Sequence, residues 1–312
     1  MPKVLFFKGE RYFSYGFENH PLRRDRHQIA LEEMKKRNLL ESKNLTKIET
    51  TEVEEETLKL FHTEEYIEKV KLLSEKGYGY LDFGDTPAFK GMYDVARNVV
   101  FAAVKAVELL ISGKANASFN MVGGLHHAFP DRAEGFCIFN DVSIAIKHAL
   151  KLGIERILYV DIDAHHCNGV FYPFYRDPRV WIADIHQTGI YPGTGYEHET
   201  GEGEARNTKM NICMRAFSRD SELLKAVERI LKFGKQARPE IVLLQAGVDC
   251  VRGDPITNLD FTLEGHKKAV KKVYEFANEV CGRILIFGGG GYNYRNCSTA
   301  WSNILELLFA KK

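Results

Sequence analysis

Short runs of aliphatic and β-branched residues alternate along this chain with longer stretches in which apolar residues return every three or four positions. The first pattern predicts strands, the second helices, and their alternation predicts parallel strands joined by crossover helices, an α/β architecture. The clearest strands run from Ala117 to Val122, Arg156 to Asp163, Arg179 to Ile185, Ile241 to Gln245 and Arg283 to Phe287. Most are apolar along their whole length, as expected of strands covered by helices on both faces. Helical periodicity covers 89–112, 140–151, 221–234, 262–280 and 297–310.

No Pro/Ser linker, composition break or internal repeat divides the 312 residues, so a single domain over 1–312 is expected. The Glu- and Lys-rich segment from Glu49 to Lys76 alternates in sign, which suits solvated helix faces. Charge changes little: 43 Lys+Arg nearly cancel 42 Asp+Glu, leaving no global attraction to nucleic acid or anionic lipid. The longest apolar stretch, Val99 to Ile111, is broken by Lys105 and Glu108 and lacks the roughly 20 clean residues of a membrane span. The run Val4 to Phe7 is too short for a signal-peptide core, so a cytoplasmic protein is expected. Six scattered cysteines with no Cys-x-x-Cys pair read as buried free thiols.

The strand ends matter most, because ligands in open α/β sheets bind outside the carboxyl ends of the strands. Four such ends are chemically loaded: Gly123-Gly124-Leu125-His126-His127, Asp161-Ile162-Asp163-Ala164-His165-His166, Gly247-Val248-Asp249 and Gly288-Gly289-Gly290-Gly291-Tyr292. If the strand continues through 165, its period of two directs Asp161, Asp163 and His165 to one side. With Asp249 from another strand, such a set suits a divalent metal with an open coordination position. A buried acidic pair that caps loops is the competing reading of Asp-x-Asp-x-His alone. His126 and His127 are either proton carriers or hydrogen-bonded core histidines. The tetraglycine segment fails as a nucleotide loop, since G-x-G-x-x-G needs glycine at 293, where Asn stands. A Tyr on a flexible turn suits a phenolic donor to an oxyanion.

In this order the blocks resemble the zinc-dependent histone deacetylase superfamily, which includes bacterial acetoin-utilisation deacetylases and acetylpolyamine amidohydrolases. The resemblance runs nearly end to end: His20-Pro21-Leu22 with Arg26, Gly123 to Ala128, Gly135-Phe136-Cys137 with Asn140-Asp141, Asp161 to Gly169, Tyr191 to Gly195, Gln245 to Asp249, Gly253 to Pro255, and Gly288 to Asn293. It implies a three-layer arginase/deacetylase fold with a central, mostly parallel sheet of about eight strands. It implies that Asp163, His165 and Asp249 hold one Zn2+, with Fe2+ or Co2+ also compatible with the donor set. It further implies that His127 is general base and then acid, that Asp161 supports His126 as its electrostatic neighbour, and that Tyr292 polarises the scissile carbonyl. Gly135, Phe136 and Tyr191 would line a tunnel for an acylated amine, and Arg26 would attract the released carboxylate. The implied reaction is hydrolysis of an acyl, typically acetyl, group from a protein lysine, a polyamine or another small amine by a metal-activated water.

Departures from the family pattern carry information. Asn168 stands behind His127 where many members have Asp; an amide does not favour imidazolium, so His127 is expected to be mostly neutral at pH 7. Asp184 replaces a frequent Ser beside Asp161, and the two are expected to hold K+ or Na+. Cys167 replaces a usual Gly without a functional account. Two rivals share the scaffold. An arginase-like binuclear-manganese ureohydrolase would need a second acid near Asp249, where Cys250 and Val251 follow; a catalytically silent acyl-ligand binder is the other. His62, His148 and His266 are expected on helices, His186 and His198 in a loop region, all with packing roles, and His166 is expected to brace its loop.

Overall fold

The computed structural model describes residues 3–309. Its strands are β1 (Val4–Lys8), β2 (Leu45–Glu49), β3 (Ala117–Asn120), β4 (Ile157–Asp161), β5 (Val180–Gln187), β6 (Lys209–Met214), β7 (Ile241–Gln245) and β8 (Ile284–Phe287). They form one eight-stranded sheet in the order β2-β1-β3-β8-β7-β4-β5-β6, with every neighbouring pair parallel. Each residue of β3, β4, β7 and β8 is buried, because crossover helices cover both faces of a parallel sheet. The edge strand β2 is half-exposed and carries Thr46, Lys47 and Glu49. Its polar pattern hid it from the hydrophobic reading.

The helices expected from periodicity are present with shifted ends: Met92–Ile111, Asp141–Lys151, Asp220–Ala237, Leu263–Val280 and Tyr294–Phe309; position 310 of the last expected range lies outside the described residues. In Asp220–Ala237 the buried residues Leu223, Ala226, Val227, Ile230, Phe233 and Ala237 form one stripe against the sheet. Among the described residues, no helix is long and apolar enough to cross a membrane. Asn140 starts Asp141–Lys151 by accepting the Ser143 N–H, a cap typically worth about 1 kcal/mol. Its amide also donates to Ala128 O at 2.8 Å and Gly169 O at 3.0 Å. One side chain thus ties the segment after His127 to the segment after Asn168.

Two histidine placements differ from the sequence reading. His62 lies in the bend between the helices Glu55–Leu58 and Glu64–Lys76, not on a helix, and its Nε2 accepts the Asn140 N–H at 3.0 Å. His186 lies within β5 rather than in a loop. The aliphatic residues that continue β5 to Gln187 are interleaved with Asp184 and His186, whose polarity ended the strand signal too early.

Candidate active site

The four loaded strand ends belong to β3, β8, β7 and β4, which are contiguous at the centre of the sheet. Chain topology therefore gathers segments that are far apart in sequence at one carboxyl edge, the usual ligand position in such sheets.

The expected strand through Asp163 stops at Asp161, so strand alternation does not bring Asp163 and His165 together. Two side-chain turns do so instead. The Asp163 N–H donates to Asp161 Oδ1 at 3.0 Å, and the His165 N–H donates to Asp163 Oδ1 at 3.0 Å. Asp249 meets this turn from β7: its Oδ2 is 2.8 Å from His165 Nδ1, and its Oδ1 accepts the Ala164 N–H at 2.9 Å. Asp163, His165 and Asp249 offer ligand atoms within 4.8 Å of one another, all buried. Asp163 Oδ2 accepts from Gln245 Nε2 at 2.7 Å and the Gly290 N–H at 2.9 Å.

These three groups fit a divalent cation. Burial and the neighbouring Asp163 charge push the Asp249 carboxyl up to about 8. Burial pulls His165 down, but its hydrogen bonds to Asp163 and Asp249 prevail and raise it to about 10. The protein alone must hold protons there to offset two buried carboxylates; a dication removes that need. The space is also reserved. A Cβ on Gly290 would sit 2.6 Å from Asp249 Oδ2 and 2.7 Å from Asp163 Oδ2.

His126 and His127 are both buried and face the same small cavity, about 20 Å³, bounded by Arg26, Phe136, Asp163 and Tyr292. His126 Nδ1 is 2.7 Å from Asp161 Oδ2, which also accepts the Tyr159 O–H at 2.5 Å. Burial lowers His126, but the Asp161 and Asp163 charges outweigh it and raise its pKa to about 9. His127 goes the other way: burial, then the charges of His126 and His165, hold it well below the ordinary imidazole range. Its Nδ1 is 2.7 Å from Asn168 Oδ1.

Gly135 and Phe136 take left-handed φ of 54° and 70°. The glycine is required, since a Cβ there would lie 2.4 Å from the His127 ring. This turn sets the Phe136 ring 5.9 Å from that of Tyr292. Tyr191 stands 5.1 Å from the His127 ring, and its hydroxyl donates to Glu134 Oε1 at 3.0 Å. The buried Arg26 donates to Gly291 O at 3.1 Å and lies over Trp301. Among the described residues it makes no ion pair with a carboxylate. Burial first, then the charges of Asp249 and Asp163, keep the Tyr292 phenol protonated.

Asp161 and Asp184 are register partners on β4 and β5. Asp184 already has His186 Nδ1 at 2.5 Å and the Cys167 N–H at 3.0 Å. His166, Cys167 and Asp184 form a second buried donor group, but His186 meets its one carboxylate. His166 Nδ1 lies 2.8 Å from Thr194 Oγ1 and ties down the loop after β5. Nothing in the structure explains the sulfur at 167.

Sequence reasoning left two residues of this site without a role. Gln245, the one polar residue closing the apolar β7, holds Asp163, and its position was a usable signal. Glu134 reaches Asn168 and Tyr191 from a loop, with no periodicity to mark it.

The "Histone deacetylase domain" family matches residues 20–308. The acetoin utilization protein AcuC of Bacillus subtilis is 34% identical over 317 residues, covering 97% of this chain and 81% of that protein. A "Probable deacetylase" of Archaeoglobus fulgidus is 32% identical, covering 88% and 77% respectively. The crystal structure of the HDA15 HD domain superposes with a TM-score of 0.90 at 26% identity, covering 98% of this chain and 88% of that one. Fold, buried donor triad and paired histidines define the class as metal-dependent deacetylases. Within that class, the chain belongs to the histone deacetylase domain family.

Proposed function

We infer that this enzyme uses zinc to remove an acetyl group from an acylated amine, either a small molecule or a protein lysine. The observation that carries the reading is the pair of adjacent buried histidines, backed at 2.7 Å by Asp161 and by Asn168 and shifted in opposite directions by their surroundings, beside a buried Asp-His-Asp donor set. Two titratable neighbours driven apart are the arrangement of acid–base chemistry.

A divalent ion held by Asp163, His165 and Asp249 would supply Lewis acidity to the acyl carbonyl and to a water. Zinc suits one imidazole and two carboxylates; Fe2+ and Co2+ suit them too. His127 is the proton acceptor. With Nδ1–H anchored on Asn168 Oδ1, its Nε2 lone pair faces the cavity, takes a proton from water and later delivers it to the departing amine. His126, cationic through Asp161, places positive charge beside the forming oxyanion. The Tyr292 hydroxyl donates to the carbonyl oxygen. Phe136 and Tyr191 flank the acyl chain and, with Gly135, shape the tunnel. Arg26, whose buried partners are neutral acceptors, attracts the acetate product. We also assign a K+ or Na+ ion beside Asp161 and Asp184, tested by comparing activity in potassium, sodium and choline salts.

The decisive assay is release of free amine from acetyl-lysine peptides and acetylated diamines by metal-loaded protein, with His127→Gln as the control. No turnover of any acylated amine by the loaded wild type overturns the reading. A metal content of two ions per chain, with urea released from a guanidinium substrate, would favour the ureohydrolase alternative. The buried Val251 stands where the Asp-x-Asp pattern of that chemistry, begun by Asp249, needs its second acid.

A further inference from the structure

We propose that Glu134 is a positioning residue for the acid–base histidine, acting through Asn168. The inference rests on the deacetylase reading of the site and adds a member to its machinery. An asparagine amide offers an acceptor at one end and donors at the other, so its neighbours decide which end faces His127. Glu134 Oε1, an acceptor only, lies 2.6 Å from Asn168 Nδ2. That contact requires the NH2 end to face Glu134 and the carbonyl end to face His127. The Gly169 N–H, 3.0 Å from Asn168 Oδ1, reads the amide the same way.

The polarity then propagates inward. Asn168 Oδ1 can only accept, so the His127 Nδ1 at 2.7 Å must carry the hydrogen. In the neutral ring this leaves the Nε2 lone pair directed at the cavity, the tautomer a general base needs. His127 Nε2 is also 3.1 Å from His126 Nε2, so both rings present this nitrogen at one place. From Glu134 inward each link has its donor on the inner partner: the Asn168 Nδ2–H donates to Glu134 and the His127 Nδ1–H donates to Asn168 Oδ1.

Glu134 is itself held in place. Its Oε2 accepts from Arg132 Nε at 3.2 Å, and its Oε1 also takes the Tyr191 hydroxyl at 3.0 Å. The Arg132 side chain is 44% exposed, so that pair contributes little on its own. The inward contacts to Asn168 and Tyr191 are the ones a substitution would disturb.

The test compares Glu134→Gln with Glu134→Met. Gln keeps an oxygen for Asn168 and Tyr191 and gives up only the Arg132 pair, so kcat is expected within about fivefold of wild type. Met keeps the volume but offers no acceptor, so kcat is expected to fall roughly 10- to 100-fold with KM changed far less. If Glu134 served only to hold the Tyr191 wall, Met would reproduce Tyr191→Phe and act on KM instead. A second variant does not depend on the Met protein folding. Asn168→Asp sets a carboxylate against Glu134 Oε1 and is expected to lose activity, and combination with Glu134→Met is expected to restore part of it. Wild-type kcat in Glu134→Met, equal loss in Gln and Met, or full activity in Asn168→Asp overturns the proposal. Because wild type is the reference in each comparison, these results are distinct from a failure of the deacetylase reading, in which wild type itself is inactive.

Discussion

His126 and His127 are neighbours in sequence whose Nε2 atoms lie 3.1 Å apart, yet their surroundings push the pKa of the first up and of the second down. Asp161 stands behind the first ring and the Asn168 amide behind the second. Both rings are buried; the Asp161 charge outweighs burial at His126, while at His127 burial prevails and the charges of His126 and His165 add to it, which the amide at 2.7 Å does not offset.

Tyr292 is expected to act on the reacting oxygen without holding the metal. Tyr292→Phe should lower kcat by about 10²- to 10³-fold, as loss of one oxyanion donor does elsewhere, with metal content unchanged. Steady-state kinetics together with elemental analysis check this; a variant that also loses its metal would contradict the separation of roles.

Gly290→Ala tests the metal cradle. Gly290 has no left-handed φ, so the added methyl strains the backbone little, but it would press on Asp163 and Asp249 at 2.6–2.7 Å. The expected outcome is a folded protein with at least tenfold weaker divalent-ion binding, in the range of other perturbations next to a metal site. Titration calorimetry with zinc reads it, and unchanged affinity would place the ion elsewhere.

Chelation should cost stability as well as activity. Asp163 and Asp249 are buried side by side, and an ion present at 100 times its Kd stabilises by about 2.7 kcal/mol. Thermal unfolding after dialysis against a chelator should show a lower Tm, restored by zinc or cobalt(II). An unchanged Tm would be hard to reconcile with an ion joining these two carboxylates.

His62 predicts a pH dependence of folding. Its Nε2 accepts the Asn140 N–H, and its Nδ1 faces Pro130 O at 3.3 Å, so its partners call for a neutral ring. Burial lowers its pKa from 6.5 to about 3. Between those values the unfolded chain holds more protons than the folded one. Its stabilising contribution is therefore fully present above pH 6.5 and declines, by up to roughly 1.4 kcal/mol per pH unit, as the pH falls toward 3. His62→Phe should cost about 1–3 kcal/mol at neutral pH, and its stability gap to wild type should narrow on acidification. Denaturant titrations in which the two proteins keep a constant gap from pH 7 to 4 would refute this.

Much of the fold was legible because buried parallel strands are written as uninterrupted apolar runs. β7 falls on its expected residues Ile241–Gln245, and β3, β4 and β8 fall within two residues at each end. The edge strand β2 contains the polar residues that its exposure permits, such as Lys47, whereas β6 carries the buried Lys209, whose ammonium donates to Val180 O at 2.7 Å; these polar residues weaken the hydrophobic signal of both.

The sequence by itself determined which residue types stand at the ends of the four central strands, and their order and spacing identified the family. Tertiary structure decided how those ends meet. Asp163 and His165 converge through side-chain turns after β4 has ended, because local carboxylate-to-backbone hydrogen bonds redirect the chain once it leaves the ladder. Glu134 enters the site only because the left-handed Gly135-Phe136 turn folds its loop back toward Asn168, 34 positions along the chain. Periodicity reports which face of an element is buried; it carries no record of a loop side chain whose partner lies on another loop.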